Sequence, residues 1–496
     1  MLAGLLQRRT GLSVARSFRS VFAHEHHQQR RHKHHRKGQP HQQQPPQPSQ
    51  QRRGLEAGSA SPAAHPFFSE ASQWKNPEGE VTCVQYPANH YTYYVEPSEY
   101  APSLQEESST NSAILSDVHI PEPSYVTINY GYNVFHSREP FQCEIKDNPN
   151  GGVLPELHLA YETWGTLSPE KDNVVFLHTG LSASSHAHSH ERNKTPGWWE
   201  KFIGPGKAID TNKYFVICSN NLGGCYGTSG PSSINPSTNK EYATSFPLIT
   251  VQDMIRAQFL LLDHLGIDKL HASVGSSLGG MQSLAAAAMY PERVGLCVSI
   301  SAAHRAHPTA IALRYMQRRI IMADPHWAGG NYYGKKFPVL GMKHAREIAT
   351  ISYRSGPEWE KRFSRQRIDG ARHSFMPEYL IETYLDHQGT TACLRYDPNS
   401  LIYISKAMDM FDMTDGFEDP TSAIARITCP TLVIGVQSDL LFPVMQQREV
   451  VQLLREGGNE NVTYYELDAL YGHDTFLIDV NTVGAAVKGH LEHCCL

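Results

Sequence analysis

The sequence predicts an α/β fold with a mostly parallel central sheet and a helical lid inserted after the sixth strand. Three observations predict it. Short, continuous, β-branched runs, the pattern of strands buried on both faces, alternate with helical segments. A serine centred in a Gly-x-Ser-x-Gly frame, Ser277 between Gly275 and Gly279, falls where one such strand meets a helix. The alternation then stops at residue 304 and resumes near 430, and the interval reads as helix.

The elements follow in order. "YVTINYGYNVF" (125–135) and "ELHLAYETWG" (156–165) alternate apolar and polar residues, as an antiparallel pair does. "NVVFLHTG" (173–180) and "YFVICSNN" (214–221) are buried parallel strands by composition. "TVQDMIRAQFLLLDHLG" (250–266) is a helix, with Thr250 as N-cap, Asp253 three residues on and Gly266 as the stop. "KLHASVGSS" (269–277) is the next strand, "GGMQSLAAAAMYP" (279–291) a small-residue helix, and "VGLCVSISAA" (294–303) another strand. After the lid, "PTLVIGVQSDLLFP" (430–443) and "VTYYELDALYGHDTFL" (462–477) complete the sheet. The folded unit is thus expected as core over 116–303, lid over 304–425 and core again over 426–496. An insertion at that point stands above the carboxyl ends of the strands, where open sheets of this kind place their sites.

The N-terminal region reads differently. Residues 1–22 carry Arg8, Arg9, Arg16 and Arg19 with no acid before Glu25, and Leu2, Leu5, Leu6, Val14 and Phe18 can share a helical face. That is the composition of a mitochondrial transit peptide, with a cytoplasmic location as the alternative. Residues 24–53 are rich in His, Gln, Arg and Pro, so 1–53 is expected to be a targeting segment and a disordered tail. His26, His27, His32, His34 and His35 offer metal-ligand chemistry, but low complexity is the plainer account and no metal is expected. Residues 54–115 stay polar and turn-rich and read as a poorly structured linker, with Tyr91, Tyr93 and Tyr94 able to pack on the core.

Composition narrows the functional classes. The chain has 496 residues and a net charge of −5, so nothing global suggests nucleic acid. No run of about 18 apolar residues occurs, so no membrane span is expected. None of the nine cysteines forms a Cys-x-x-Cys pair, and their odd number favours a reducing compartment over a disulfide framework. The terminal Cys494-Cys495-Leu496 does not fit a prenylation box.

The chemistry centres on Ser277. Glycines on either side permit a turn tight enough to leave its hydroxyl exposed at a helix N-terminus, the nucleophile-elbow arrangement. Ser276 faces the opposite side of that elbow and reads as structural. A serine needs a base and an orienting acid, and an elbow fold supplies them in the order Ser, Asp or Glu, His, each just after a later strand. Asp439 follows "TLVIGVQS" and His473 follows "VTYYELDALYG", so order and placement both fit. The oxyanion formed on attack needs preorganised N–H donors. One is expected from Leu278, beside the nucleophile, and the other from Leu181 in "HTGLSASSH". His178 and His186 of that stretch read as structural rather than metal ligands.

Together these residues resemble the homoserine and serine O-acyltransferase branch of the α/β-hydrolase superfamily, from about residue 120 to 485. The resemblance rests on "NNLGGCYGTSGPSSINP", "GSSLGGMQ", "RRIIMADPHWAGGNYY", "REIATISYRSGPEWEKRF", "SDLLFP" and "GHDTFL". It implies the α/β-hydrolase fold, a Ser277–Asp439–His473 triad and a homodimer built through the lid. It also implies no cofactor beyond acetyl-CoA as co-substrate, and L-serine or L-homoserine as acceptor. By the same resemblance Arg318 holds the substrate carboxylate and Asp474 meets its amino group. The wording "PGWWEKFIGPG" and "SYRSGPEWEKRF" is most similar to fungal mitochondrial serine O-acetyltransferases, which favours serine and cysteine biosynthesis over homoserine and methionine biosynthesis. A serine esterase or thioesterase with water as acceptor is the more distant alternative; such an enzyme needs neither Arg318 nor Asp474.

Overall fold

Among the described residues nine strands form the central sheet, and the chemistry of their sequences explains their places. In the computed structural model, which describes residues 90–94, 130–368, 370, 373, 375 and 377–493, the chain opens with β1 (His90–Tyr94) and β2 (Asn133–Ser137). A short ribbon of β3 (Phe141–Gln142) and β4 (Val153–Leu154) precedes β5 (Leu157–Trp164). β6 (Val174–His178) and β7 (Phe215–Ser219) follow, and a second ribbon joins β8 (Ile234–Asn235) to β9 (Lys240–Glu241). Then come α1 (Val251–His264), β10 (Leu270–Ser276), α2 (Leu278–Met289) and β11 (Val294–Ile300). The sheet order is β1-β2-β5-β7-β6-β10-β11-β12-β13, where β12 is Thr431–Val436 and β13 Val462–Leu467. From β7 to β13 all neighbours are parallel, and β1, β2 and β5 add an antiparallel end.

β6 shows why the parallel strands are apolar throughout. All five residues are buried. Val174 and Phe176 join the core under α1 and α2, while Val175 and Leu177 join the core on the other face, with Trp199 and Phe202. A strand covered on both faces has no solvent side to make polar. The second core is closed by α11 (Val480–His493), which contributes Val483, Val487 and Leu491.

α1 starts at the predicted cap. Thr250 Oγ1 accepts from the Asp253 N–H at 3.0 Å, and Asp253 Oδ2 accepts from the Thr250 N–H at 2.9 Å, a full capping box. Gly266, with φ +65°, follows the helix as expected.

Between β11 and β12 lie α3 (Pro308–Ala323), α4 (Val339–Tyr353), α5 (Gly356–Arg362), α6 (Leu380–Ala392), α7 (Pro398–Met410) and the short α8 (Pro420–Ile424). α9 (Val444–Glu456) and α10 (Thr475–Ile478) complete the helices named here.

Two expectations are corrected. The segment 54–115 contains β1, which pairs antiparallel with β2, so the lid follows the seventh strand of the sheet rather than the sixth. "HYTYY" is a β-branched and aromatic run that satisfies an otherwise open strand edge. The strand expected over 125–135 begins only at Asn133; Gly131, with φ +84°, stands in the bend before it, and residues 125–129 lie outside the described part. The expectations for residues 1–53, the transit peptide and the histidine tract included, also fall outside it, as does Cys494-Cys495-Leu496. Among the described residues no helix is long and apolar enough to cross a membrane, and the six described cysteines are free thiols.

Candidate active site

Ser277 sits between β10 and α2 with φ 57° and ψ −125°, a conformation costly for a residue with a side chain. The surroundings hold it there. Its N–H donates to the Ile300 carbonyl at 2.9 Å, and its carbonyl accepts the Met281 N–H at 3.1 Å. The flanking glycines are needed for close approach: a Cβ on Gly275 would stand 2.1 Å from the Gly279 carbonyl oxygen, and one on Gly279 would stand 2.3 Å from the His178 carbonyl oxygen. Ser277 is 8 % exposed, and its hydroxyl makes no cap bond to α2. Ser276 instead ends β10, in register with Ile300.

Asp439 and His473 meet across the ends of β12 and β13. His473 Nδ1 is 2.7 Å from Asp439 Oδ2, and both residues are buried. With Nδ1–H donated to the carboxylate, Nε2 is left to take a proton. Asp439 Oδ1 accepts from the N–H groups of Leu441 and Phe442, each at 2.8 Å, so the carboxylate is fixed from both sides. The Phe442 ring stacks on His473 with centroids 5.3 Å apart, and Phe476 closes its edge. Ser438 joins the two loops, donating to the Ala469 carbonyl at 2.5 Å and accepting from the Gly472 N–H at 3.2 Å. Burial acts to lower the His473 pKa, but the charge and hydrogen bond of Asp439, with the charge of Asp474, outweigh it and raise the value.

The two predicted oxyanion donors lie on braced backbone. Leu278 is the first residue of α2, so its N–H has no intrahelical partner. Leu181 lies just past β6, and no hydrogen bond among the described residues engages its N–H. The carbonyls before it are tied down: Gln282 Nε2 donates to Thr179 O at 3.1 Å and Asn221 Nδ2 to Gly180 O at 2.9 Å. Gln282 is held in turn by Gln258, and Gln258 by His178, whose Nε2 lies 2.8 Å from Ser273 Oγ. Burial pushes the His178 pKa down to about 3, so the ring is a neutral structural link.

The same loop has a second brace that sequence reasoning missed. Buried Glu162 on β5 takes Ser185 Oγ at 2.8 Å through one oxygen, and His186 Nδ1 and His190 Nε2, both at 2.7 Å, through the other. Glu162, His186 and His190 are close enough to share a metal. Yet His186 Nε2 also contacts the Thr195 carbonyl at 2.7 Å, so the ring donates at both nitrogens, as an imidazolium and not as a ligand. Burial opposes that charge, but Glu162 outweighs it and the His186 pKa is raised. A second trio, His136, Glu156 and His158, has comparable spacing.

Arg318 and Asp474 each already have a charged partner. Arg318 Nη2 donates to Asp409 Oδ2 at 2.5 Å and Nη1 to Ser405 Oγ at 3.2 Å. Asp474 Oδ2 lies 3.2 Å from Nε of Arg354, a buried arginine that also donates to Glu358 at 2.7 Å. Asp409 and Arg354 carry no role in the sequence reading, since each meets its partner only through the lid.

Comparisons with known proteins identify the family. Residues 173–480 match the model of the alpha/beta hydrolase fold family. A serine O-succinyltransferase of Emericella nidulans is 50 % identical over 78 % of this chain and 86 % of its own length. Another, of Schizosaccharomyces pombe, is 48 % identical over 85 % of this chain and 96 % of its own. The solved homoserine O-acetyltransferase of Bacillus anthracis superposes with a TM-score of 0.66 at 30 % identity, over 72 % of this chain and 96 % of that one. The chain belongs to the α/β-hydrolase family and, within it, to the O-acyltransferases of serine and homoserine.

Proposed function

We propose that the chain transfers an acyl group from a CoA thioester to the hydroxyl of L-serine, with succinyl-CoA as the donor in place of the acetyl-CoA that the sequence resemblance implies. The observation that carries the chemistry is the strained Ser277 elbow beyond the carboxyl end of β10, with the Asp439–His473 pair beyond the same ends of the parallel strands β12 and β13. The two fungal relatives, named for serine and succinyl, support the choice of both substrates. The homoserine O-acetyltransferase of B. anthracis supports homoserine and acetyl-CoA as the second reading.

The steps are those of a serine nucleophile with a histidine base and an orienting aspartate. His473 Nε2 takes the proton of Ser277 Oγ as that oxygen attacks the thioester carbonyl. The N–H groups of Leu278 and Leu181 hold the oxyanion, and the C–S bond breaks as His473 returns the proton to the CoA sulfur. The serine hydroxyl then enters, gives its proton to His473 and attacks the acyl-enzyme. The product ester leaves and Ser277 is restored. Arg318 and Asp474 are assigned to the carboxylate and amino group of the acceptor, each held in position by its internal partner.

Tyr315, Met316, Leu340 and Ile351 of the lid are each about half exposed or more, and they offer an apolar face for a second copy. The N-terminal segment is assigned to mitochondrial targeting. Light scattering tests the first, and a fusion of residues 1–30 to a fluorescent reporter tests the second.

The deciding experiment is CoA release by the full chain with succinyl-CoA or acetyl-CoA against L-serine or L-homoserine. The highest kcat/KM is expected for succinyl-CoA with serine. A preference for homoserine overturns the acceptor, and acceptor-independent turnover at full rate overturns the transferase.

A further inference from the structure

Beyond the carboxyl end of β7 the core and the lid line a cavity of about 410 Å³. The core supplies Cys225 and Tyr226, from the loop that leaves β7. The lid supplies Tyr333 and Lys335, ahead of α4, and the turn 394–397 between α6 and α7. β7, β6 and β10 are parallel neighbours, so the cavity and the Ser277 elbow lie beyond the same ends of the sheet, two strands or about 10 Å apart along it. Adjacent asparagines tie the two together. Asn220 Nδ2 donates to the carbonyls of Cys225 and Tyr226 at 2.8 and 2.9 Å, and its Oδ1 accepts from the Ser185 N–H at 2.6 Å. Asn221 holds the Gly180 carbonyl ahead of Leu181.

The lining suits an anion that carries an aromatic ring. Lys335 and Arg395 both line the cavity and are both exposed. The one acid of the lining, Asp397, is already covered. Tyr332 donates to one of its oxygens at 2.5 Å, and the Ser400 N–H and hydroxyl donate to the other at 2.8 and 2.9 Å. The cavity therefore keeps a positive surplus. Tyr226 stands in its wall with φ 61°, a strained conformation for a residue with a side chain. Its half-buried ring meets that of Tyr396 edge to face, with centroids 5.9 Å apart. Such strain persists where the surroundings hold a side chain in place, and it gathers at sites that clamp a ligand.

We propose that this cavity receives the nucleotide end of the acyl-CoA, with its base against the tyrosines and its phosphates on Lys335 and Arg395. The inference rests on the proposed use of a CoA thioester and assigns a seat to the part of that donor which does not react. The thioester must reach Ser277, and the pantetheine arm sets the nucleotide well away from it. A cavity two strands distant meets that need. Bases stack on aromatic rings without regard to sequence or charge. Phosphates that stay near water are paired by exposed cations at little desolvation cost, Arg395 with a bidentate fork. The acceptor amino acid has no such group, and its own charges are assigned to Arg318 and Asp474.

The test compares succinyl-CoA with succinyl-pantetheine, the same thioester without the nucleotide, on the full chain and on a variant carrying both Lys335→Glu and Arg395→Glu. Reversing both charges should raise the KM for succinyl-CoA by about tenfold or more, as lost charged contacts require, and leave kcat unchanged. The kcat/KM for succinyl-pantetheine should stay as in the wild type. Adenosine 3′,5′-bisphosphate should inhibit the wild type competitively against succinyl-CoA, more weakly as salt rises, and should fail on the variant. An unchanged KM for succinyl-CoA overturns the proposal. An equal loss on both donors overturns it as well, since the two residues would then serve the lid and not the nucleotide. A wild type that releases CoA from neither succinyl-CoA nor acetyl-CoA defeats the thioester reading itself. If acetyl-CoA is the better donor, the same comparison runs on acetyl-CoA and acetyl-pantetheine. Thermal unfolding reports whether the variant folds, and Lys335→Gln with Arg395→Gln carries the test if charge reversal does not.

Discussion

His473 Nδ1 and Asp439 Oδ2 are 2.7 Å apart, and the other oxygen of Asp439 is pinned by two backbone N–H groups at 2.8 Å. The acid therefore cannot turn away from the imidazole. It fixes the tautomer that leaves Nε2 as the base, and it stabilises the imidazolium formed during attack.

Replacing Asp439 by Asn keeps the shape and loses the charge. An Asn side-chain oxygen can still accept from Leu441 and Phe442, so the fold should survive, but the amide no longer enforces the tautomer. Turnover should fall by roughly three to four orders of magnitude, as in other triads. Steady-state kinetics beside a thermal melt checks this; a loss under tenfold would remove Asp439 from the triad.

The pH profile follows from the raised pKa of His473. Its free base is the active form, so kcat/KM should rise with pH through a limb above the ordinary histidine value of about 6.5. The Asp439→Asn variant should move that limb down. For stability the sign is the reverse. A group whose folded pKa is raised stabilises fully below its unfolded value, and that contribution is lost as pH rises through the folded value.

His178 works in the other direction. With its folded pKa pushed down to about 3, its contribution is present above about 6.5 and is lost as pH falls through that window. The loss is on the order of 1.4 kcal/mol per unit for one proton. Denaturant titrations from pH 7 to pH 4 should show a slope that shrinks in a His178→Gln variant.

Gly275→Ala places a methyl 2.1 Å from the Gly279 carbonyl oxygen, which belongs to backbone and cannot swing aside. The elbow must open or the strand must shift. Destabilisation of about 1–3 kcal/mol or more is expected, with activity lost alongside. Unchanged chemical unfolding and kcat would show that the approach is not needed.

Glu162→Gln removes the charge that holds His186 and leaves a buried imidazolium without its partner. Breaking such a pair costs about 3–5 kcal/mol. Because the loop it braces also carries Leu181, kcat should fall more than the KM for either substrate changes. A stability loss with normal kcat in the folded fraction would separate this brace from the oxyanion donor.

Much of the site was legible because its signals are local. The elbow needs glycines within two residues of Ser277, and the capping box needs Thr250 and Asp253 three apart. The order of Asp439 and His473 follows from where strands end. What was not legible depends on distant partners. Arg318 and Asp409 are 91 positions apart, and Glu162 and His186 lie on different elements, so neither pairing shows in the sequence around either partner. β1 was missed for a related reason. Its five residues sit in polar sequence, and only the edge of β2 makes them a strand.

The central claim is that Ser277 carries the acyl group. The most direct measurement is mass spectrometry of the full chain mixed with succinyl-CoA in the absence of acceptor, followed by peptide mapping. The account predicts one added succinyl group on the peptide bearing Ser277, discharged when serine is supplied and absent in Ser277→Ala. Label on another residue, or turnover with serine while Ser277→Ala remains fully active, would contradict it.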